Sequence, residues 1–170
     1  MVEYRTAGPD QVPVMRALFA EYAQSLGIDL SFQDFQKELD TLPGKYSPPD
    51  GTVILAYHQD APCGCVALRK IDERACEMKR LYVRRAARGL GVGRDLVRRI
   101  LEEARARGYV AMRLDTLPVM KSAVSLYRAF GFHEIPPYIF NPIPGALYME
   151  RDLAVPVTDY PSAQGSPRSP

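Results

Sequence analysis

The stretch Arg88-Gly89-Leu90-Gly91-Val92-Gly93-Arg94 decides how the rest of the chain is read. Glycine stands at alternate positions, so the backbone can bend sharply and no Cβ obstructs an approach to its amides. Before it, Ala75 to Val83 alternates as a strand does. After it, Leu96, Ile100, Leu101 and Ala104 recur at helical spacing and Gly108 closes the pattern, which predicts a helix over Gly93 to Arg107. A glycine turn that opens a helix presents unpaired N–H groups and the positive end of the helix dipole, a natural seat for a pyrophosphate. Arg88 and Arg94 bracket the turn and can add charge-assisted hydrogen bonds.

Two familiar phosphate motifs do not fit. A P-loop needs Lys and then Ser or Thr after its last glycine, and Arg94-Asp95 stands there instead. The dinucleotide fingerprint needs glycine where Arg94 stands, although Asp115, about twenty residues on, mimics its ribose-binding acid. Its distance from the preceding strand, and the single strand–helix–strand crossover, leave a nicotinamide-nucleotide oxidoreductase as the weaker alternative.

Outward from the loop, Val2 to Thr6 reads as a strand and Asp10 as the N-cap of a helix carrying Val14, Leu18 and Tyr22, stopped by Gly27. Ser31 to Leu39 reads as a second helix capped by Ser31, and Pro43 to Gly51 is turn chemistry. Thr52 to Tyr57, Cys63 to Ile71 and Ala75 to Val83 form an antiparallel meander. Past the loop and its helix come a strand (Tyr109 to Asp115), a helix (Val119 to Phe130) and two strands (Phe132 to Ile139 and Leu147 to Leu153). Hairpins leading into one crossover predict an α+β fold, a mixed, mostly antiparallel sheet flanked by helices, over residues 1–153. Residues 154–170 are rich in Pro and Ser with little to bury, which predicts a disordered tail.

The 170 residues are ordinary in their apolar and charged content for a soluble domain and hold no apolar run near the ~20 residues that span a bilayer. The first twenty residues carry four charges and no signal-peptide core, so the expected address is the cytoplasm. Cys63 and Cys65 lie two apart on one strand, where side chains point the same way but too far apart to bridge easily. With no matching Cys or His pair, no metal is expected. The net charge is +2, yet from Met78 to Arg107 ten basic residues stand against three acidic ones. A positive field confined to the loop and its helix favours a small polyanion over a nucleic acid or a membrane surface.

The sequence resembles the GNAT superfamily of acyl-CoA-dependent N-acyltransferases. The likeness rests on Glu77-Met78-Lys79-Arg80-Leu81-Tyr82-Val83, on the R-G-x-G-x-G loop, and on Leu126-Tyr127-Arg128-Ala129-Phe130-Gly131-Phe132, in that order and with matching elements from Val2 to Leu153. The resemblance implies a sheet split between the strands ending near Val83 and Thr116, with acetyl-CoA in the split. Its pantetheine would pair with the backbone of Leu81, Tyr82 and Val83, and its pyrophosphate would rest on the amides from Gly89 through Leu90, Gly91, Val92 and Gly93 to Arg94. Arg84, Arg85 or Arg88 would meet the outer phosphates. Relatives often carry asparagine seven residues before the motif tyrosine. Here Met120 stands there, so Lys121, Ser122 or Thr116 would replace that contact.

The resemblance also implies a mechanism. An amine with a pKa near ~10.4 is protonated at neutral pH and must lose a proton before it attacks. Glu77 is the expected general base, directly or through a water, and Tyr127 the general acid toward the leaving thiolate. The acceptor would be the primary amine of a small molecule, walled by Tyr22, Phe32, Tyr138 and Asn141. A non-catalytic acyl-CoA sensor would use the same cleft, and a homodimer is left open.

Overall fold

The computed structural model describes residues 1–157. The expected tail therefore lies, from residue 158 on, outside the described residues, while Val157 is buried in the core. Strands β1 (Val2–Thr6), β2 (Thr52–His58), β3 (Ala61–Lys70), β4 (Ala75–Val83), β5 (Ala111–Thr116), β6 (His133–Glu134) and β7 (Leu147–Asp152) form one sheet. Its order is β1-β2-β3-β4-β5-β7-β6. The helices are α1 (Val12–Leu26), α2 (Phe35–Asp40), α3 (Val92–Ala106) and α4 (Lys121–Ala129).

Every neighbouring pair is antiparallel except β4 and β5. Those two are joined by α3, and a helical crossover returns the chain in the same direction. Alternation along β2 feeds two cores. Ile54 and Ala56 pack with Val66, Leu68 and the Leu96–Ile100–Leu101 face of α3. Val53 and Leu55 pack with Ala67 and with Met15, Leu18 and Phe19 of α1.

Two features of β4 shape everything that follows. Its ladder with β5 has only three pairs, Ala75–Ala111, Cys76–Met112 and Glu77–Arg113. Beyond Glu77 the strands part, so one edge of β4 from Met78 to Val83 faces no strand. The second feature is a bulge. Lys79 pairs with Ala67 and Tyr82 with Cys65, so Arg80 and Leu81 together oppose Val66, and Arg80 takes φ = 61°. Cys76 and Met78 lie in the α3-side core before the bulge, and Leu81 and Val83 pack there after it. Tyr82 turns to the α1 side.

The structure departs from the sequence reading at several local points. Asp10 sits inside a 3₁₀ turn over Pro9–Gln11 and does not cap α1, whose N-cap is Gln11. The helix expected over Ser31 to Leu39 is a 3₁₀ turn, Ser31–Gln33, and then α2, separated by Asp34 at φ = 57°. The strand expected over Phe132 to Ile139 shrinks to His133–Glu134 because Pro136 and Pro137 carry no N–H for the ladder. Cys63 and Cys65 enter opposite cores. A register shift in the β2–β3 pairing, where Ala56 faces Gly64 but Tyr57 faces Pro62, leaves Cys63 unpaired and breaks the alternation.

Candidate active site

The parting of β4 from β5 opens two cavities, and Tyr22, Leu81 and Met120 line both. The larger, about 700 Å³, is an open cleft between the end of β4, the glycine turn and the start of α4. Of the residues expected to hold a cofactor, Leu81, Tyr82, Val83, Arg88, Gly89, Gly91, Val92, Gly93, Arg94 and Ser122 line it. Leu90 does not; it is 48% exposed and turns to solvent. Thr116 lines the smaller cavity instead, its hydroxyl 3.8 Å from Met120 Sδ.

The glycines have different local reasons. Gly89 and Gly91 hold φ of 85° and 78°, which side chains rarely adopt, and Gly91 is the N-cap of α3. Gly93 has no such constraint. A Cβ there would lie 3.7 Å from Leu126 and 3.8 Å from Val83, both lining residues of the cleft. Glycine at 93 therefore leaves room that a ligand's phosphates can fill against the first-turn amides of α3. Among the flanking arginines, Arg88 and Arg94 line the cleft. Arg84 is taken: its guanidinium holds both Glu21 oxygens at 2.6 and 2.9 Å and the Pro62 carbonyl at 2.7 Å.

The smaller cavity, about 40 Å³, lies on the α1–α2 side. Tyr22, Phe32, Tyr127 and Asn141 line it with Gln33, Lys79, Arg80 and Asp115. Tyr127 is 6% exposed and rests edge-on against Phe132. Burial, then Tyr22 and Asp115, push its phenol well above the ordinary range, so it stays protonated.

Glu77 stands at the apex of the split, 1% exposed. It does not line the cavity itself. Its Oε1 accepts from Arg69 Nε at 2.7 Å, and Arg69 Nη2 lies at 2.7 Å; its Oε2 accepts from the Tyr138 hydroxyl at 2.5 Å. Tyr138 thus reaches the site through Glu77 and not as a cavity wall. Burial first, and then the Glu77 charge, raise the Tyr138 phenol far above its usual pKa.

Three residues that sequence reasoning missed complete the surroundings. Arg69 is the partner of Glu77. The β3–β4 hairpin register sets Arg69 opposite Glu77 and would have found it. Glu38 clamps Arg80 at 2.8 and 3.0 Å, and Gln33 Oε1 accepts from Arg80 at 2.8 Å and from Lys79 at 3.4 Å. Arg80 also lies over the rings of Phe35 and Tyr22, at 5.0 and 5.7 Å.

No helix among the described residues is long and apolar enough to cross a membrane. No cluster of three or more His, Cys, Asp or Glu among them could hold a metal ion. A split mixed sheet with a glycine turn at a helix start, and a second cavity across the split, makes a cleft of two compartments. Residues 14–132 match the Acetyltransferase (GNAT) family. An uncharacterised N-acetyltransferase of Schizosaccharomyces pombe is 40% identical over 148 residues, 86% of this chain and 91% of the relative. An acetyltransferase of Streptococcus agalactiae shares the fold with a TM-score of 0.74 at 22% identity, over 89% of this chain and 98% of that one. A PaiA N-acetyltransferase from Thermoplasma acidophilum, solved with coenzyme A, does so at 0.70 and 17% identity, over 89% and 99%. The chain belongs to the GNAT family and is an acetyltransferase. The nicotinamide alternative falls with that assignment.

Proposed function

We propose that the protein transfers the acetyl group of acetyl-CoA to the primary amine of a small molecule. The observation that carries this reading is the split after Glu77–Arg113, with a phosphate-compatible cleft on one side and a small charged cavity on the other. The unpaired edge of β4 supports a pantetheine running along Leu81 and Val83 as an added strand. The amides at the start of α3 suit a pyrophosphate, and Arg88 and Arg94 suit its outer charges.

The amine nitrogen attacks the thioester carbon, a C–N bond forms, and the C–S bond breaks. The proton lost from the amine goes through one water to Glu77, whose carboxylate Arg69 and Tyr138 hold in place. The Leu81 N–H suits the oxyanion. Tyr127 donates a hydrogen bond to the departing thiolate. The phenol, kept protonated by burial, passes its proton to sulfur, and the second proton that the nitrogen sheds on becoming an amide restores it.

Titration with acetyl-CoA, followed by thiol release in a panel of primary amines, tests the reading. Glu77→Gln should lower kcat by about 10²-fold or more and leave the KM for acetyl-CoA unchanged. Full activity in that variant would remove Glu77 from the mechanism.

A further inference from the structure

The ion pairs around the smaller cavity are of two kinds. Arg69–Glu77, Arg80–Glu38 and Arg113–Glu150 close at 2.7, 2.8 and 2.7 Å. Lys79 and Asp115 face each other across the split, from opposite arms, and stop at 3.6 Å, beyond hydrogen-bonding distance. Both line the cavity, and their side chains are only 5% and 6% exposed. Each has one neutral partner. Gln33 Oε1 lies 3.4 Å from the Lys79 ammonium, and Asn141 Nδ2 donates to Asp115 at 3.0 Å. Arg80, the other cation on the wall, is already neutralised by Glu38.

This leaves one cation and one anion, desolvated and loosely matched, side by side in the compartment that takes the acceptor. Buried charges are stable when each has a closely bonded opposite charge. A ligand bearing both an ammonium and a carboxylate on neighbouring atoms would give each its partner.

We propose that the acceptor is a zwitterion of the α-amino acid class, its ammonium held by Asp115 and its carboxylate by Lys79. This deepens, and rests on, the small-molecule amine reading above. At about 40 Å³ the cavity has room for about three water-sized groups, enough for the charged head of such a ligand. Leu26, Ile28, Leu30 and Phe32 give the side chain an apolar wall. Burial holds the Lys79 ammonium below its ordinary pKa, against the opposing pull of Glu77 and Asp115 and with the push of Arg80 and Arg69. A bound carboxylate reverses that direction. Lys79 and Asp115 are thus specificity residues, distinct from the proton acceptor.

The test pairs each amino acid with its decarboxylated amine: leucine with 3-methylbutylamine, phenylalanine with phenethylamine, and methionine with its amine. Thiol release from acetyl-CoA by the full-length protein gives kcat/KM for each. The expected result is a preference of about tenfold or more for the amino acid. Lys79→Met should bring the ratio to about one without moving the KM for acetyl-CoA, and Lys79→Arg should restore part of it. Turnover of the amines as good as that of the amino acids overturns this proposal and leaves the small-amine reading standing. Acetyl-CoA binding with no turnover of either set overturns both. The wild-type comparison decides the matter even if a Lys79 variant fails to fold.

Discussion

Replacing Gly93 with alanine separates folding from cofactor binding in a way that few substitutions here can. Gly93 lies in the first turn of α3 without a positive φ, and its added Cβ would meet Leu126 and Val83 at ordinary contact distances. In the folded protein the change is therefore free of clash. Alanine is better than glycine in a helix by about 0.5–1 kcal/mol. For a domain of this size that raises the melting temperature by about 1–4 °C. The same methyl group occupies the floor of the large cleft. If it costs one charge-assisted hydrogen bond between a phosphate and a helix amide, the loss is about 1.5–3 kcal/mol. That corresponds to a rise of roughly ten- to 150-fold in the KM for acetyl-CoA. The assay is a thermal melt with and without coenzyme A, alongside steady-state kinetics. Gly91→Ala is the contrast, since φ = 78° strains any side chain by about 1–2 kcal/mol and the melt should fall. A Gly93→Ala protein that melts higher and keeps its KM would refute the phosphate cradle. One that melts several degrees lower would refute the account of its local fit.

Tyr127→Phe keeps the ring that packs on Phe132 and removes only the donor, so kcat should fall by about 10²-fold while the melt and the acetyl-CoA KM hold. Unchanged kcat would reduce Tyr127 to packing. Arg80→Met leaves the buried Glu38 carboxylate with Tyr46 as its remaining partner, and urea denaturation should show a loss of about 3–5 kcal/mol. Burial alone would raise the Glu38 pKa, but its bonds to Arg80 and Tyr46 outweigh that and hold it below its ordinary 4.5. A depressed folded pKa means that the folded state binds fewer protons. Its contribution to stability is full above the ordinary carboxylate range and is lost as pH falls through the lowered value. Melts of wild type and Arg80→Met between about pH 7 and pH 3 should therefore converge on acidification; parallel curves would contradict the pairing.

Legibility in the sequence was uneven for a physical reason. Period-two and helical patterns mark the strands and helices because burial acts on every residue of an element, and the glycine turn is marked by its own spacing. The residues expected on the cleft side, Leu90 and Thr116 apart, therefore come together along one cavity. The segment from Ser31 to Asp40 misled because Asp34 breaks a helical pattern with a backbone angle that sequence does not announce. The α1–α2 side is built from pairs such as Lys79–Asp115 and Arg80–Glu38, whose members come from different elements. Such pairs leave no periodic trace. Only the tertiary arrangement joins them, and the sequence reading accordingly named Glu77 while missing what holds it.

The extra residue in β4 has a consequence for how this strand can vary. Before the bulge the even-numbered Cys76 and Met78 face the α3-side core, and after it the odd-numbered Leu81 and Val83 do. The bulge acts as a frame shift written in space, letting a single strand line both cavities of the split. Removing one residue at Arg80–Leu81 would pair the strand regularly with β3 and leave Tyr82 and Val83 on their present faces, so its cost falls on the side chain removed: the Arg80 that Glu38 clamps, or the Leu81 that lines both cavities. Such a protein could keep a regular sheet and lose one lining side chain of the split in one step.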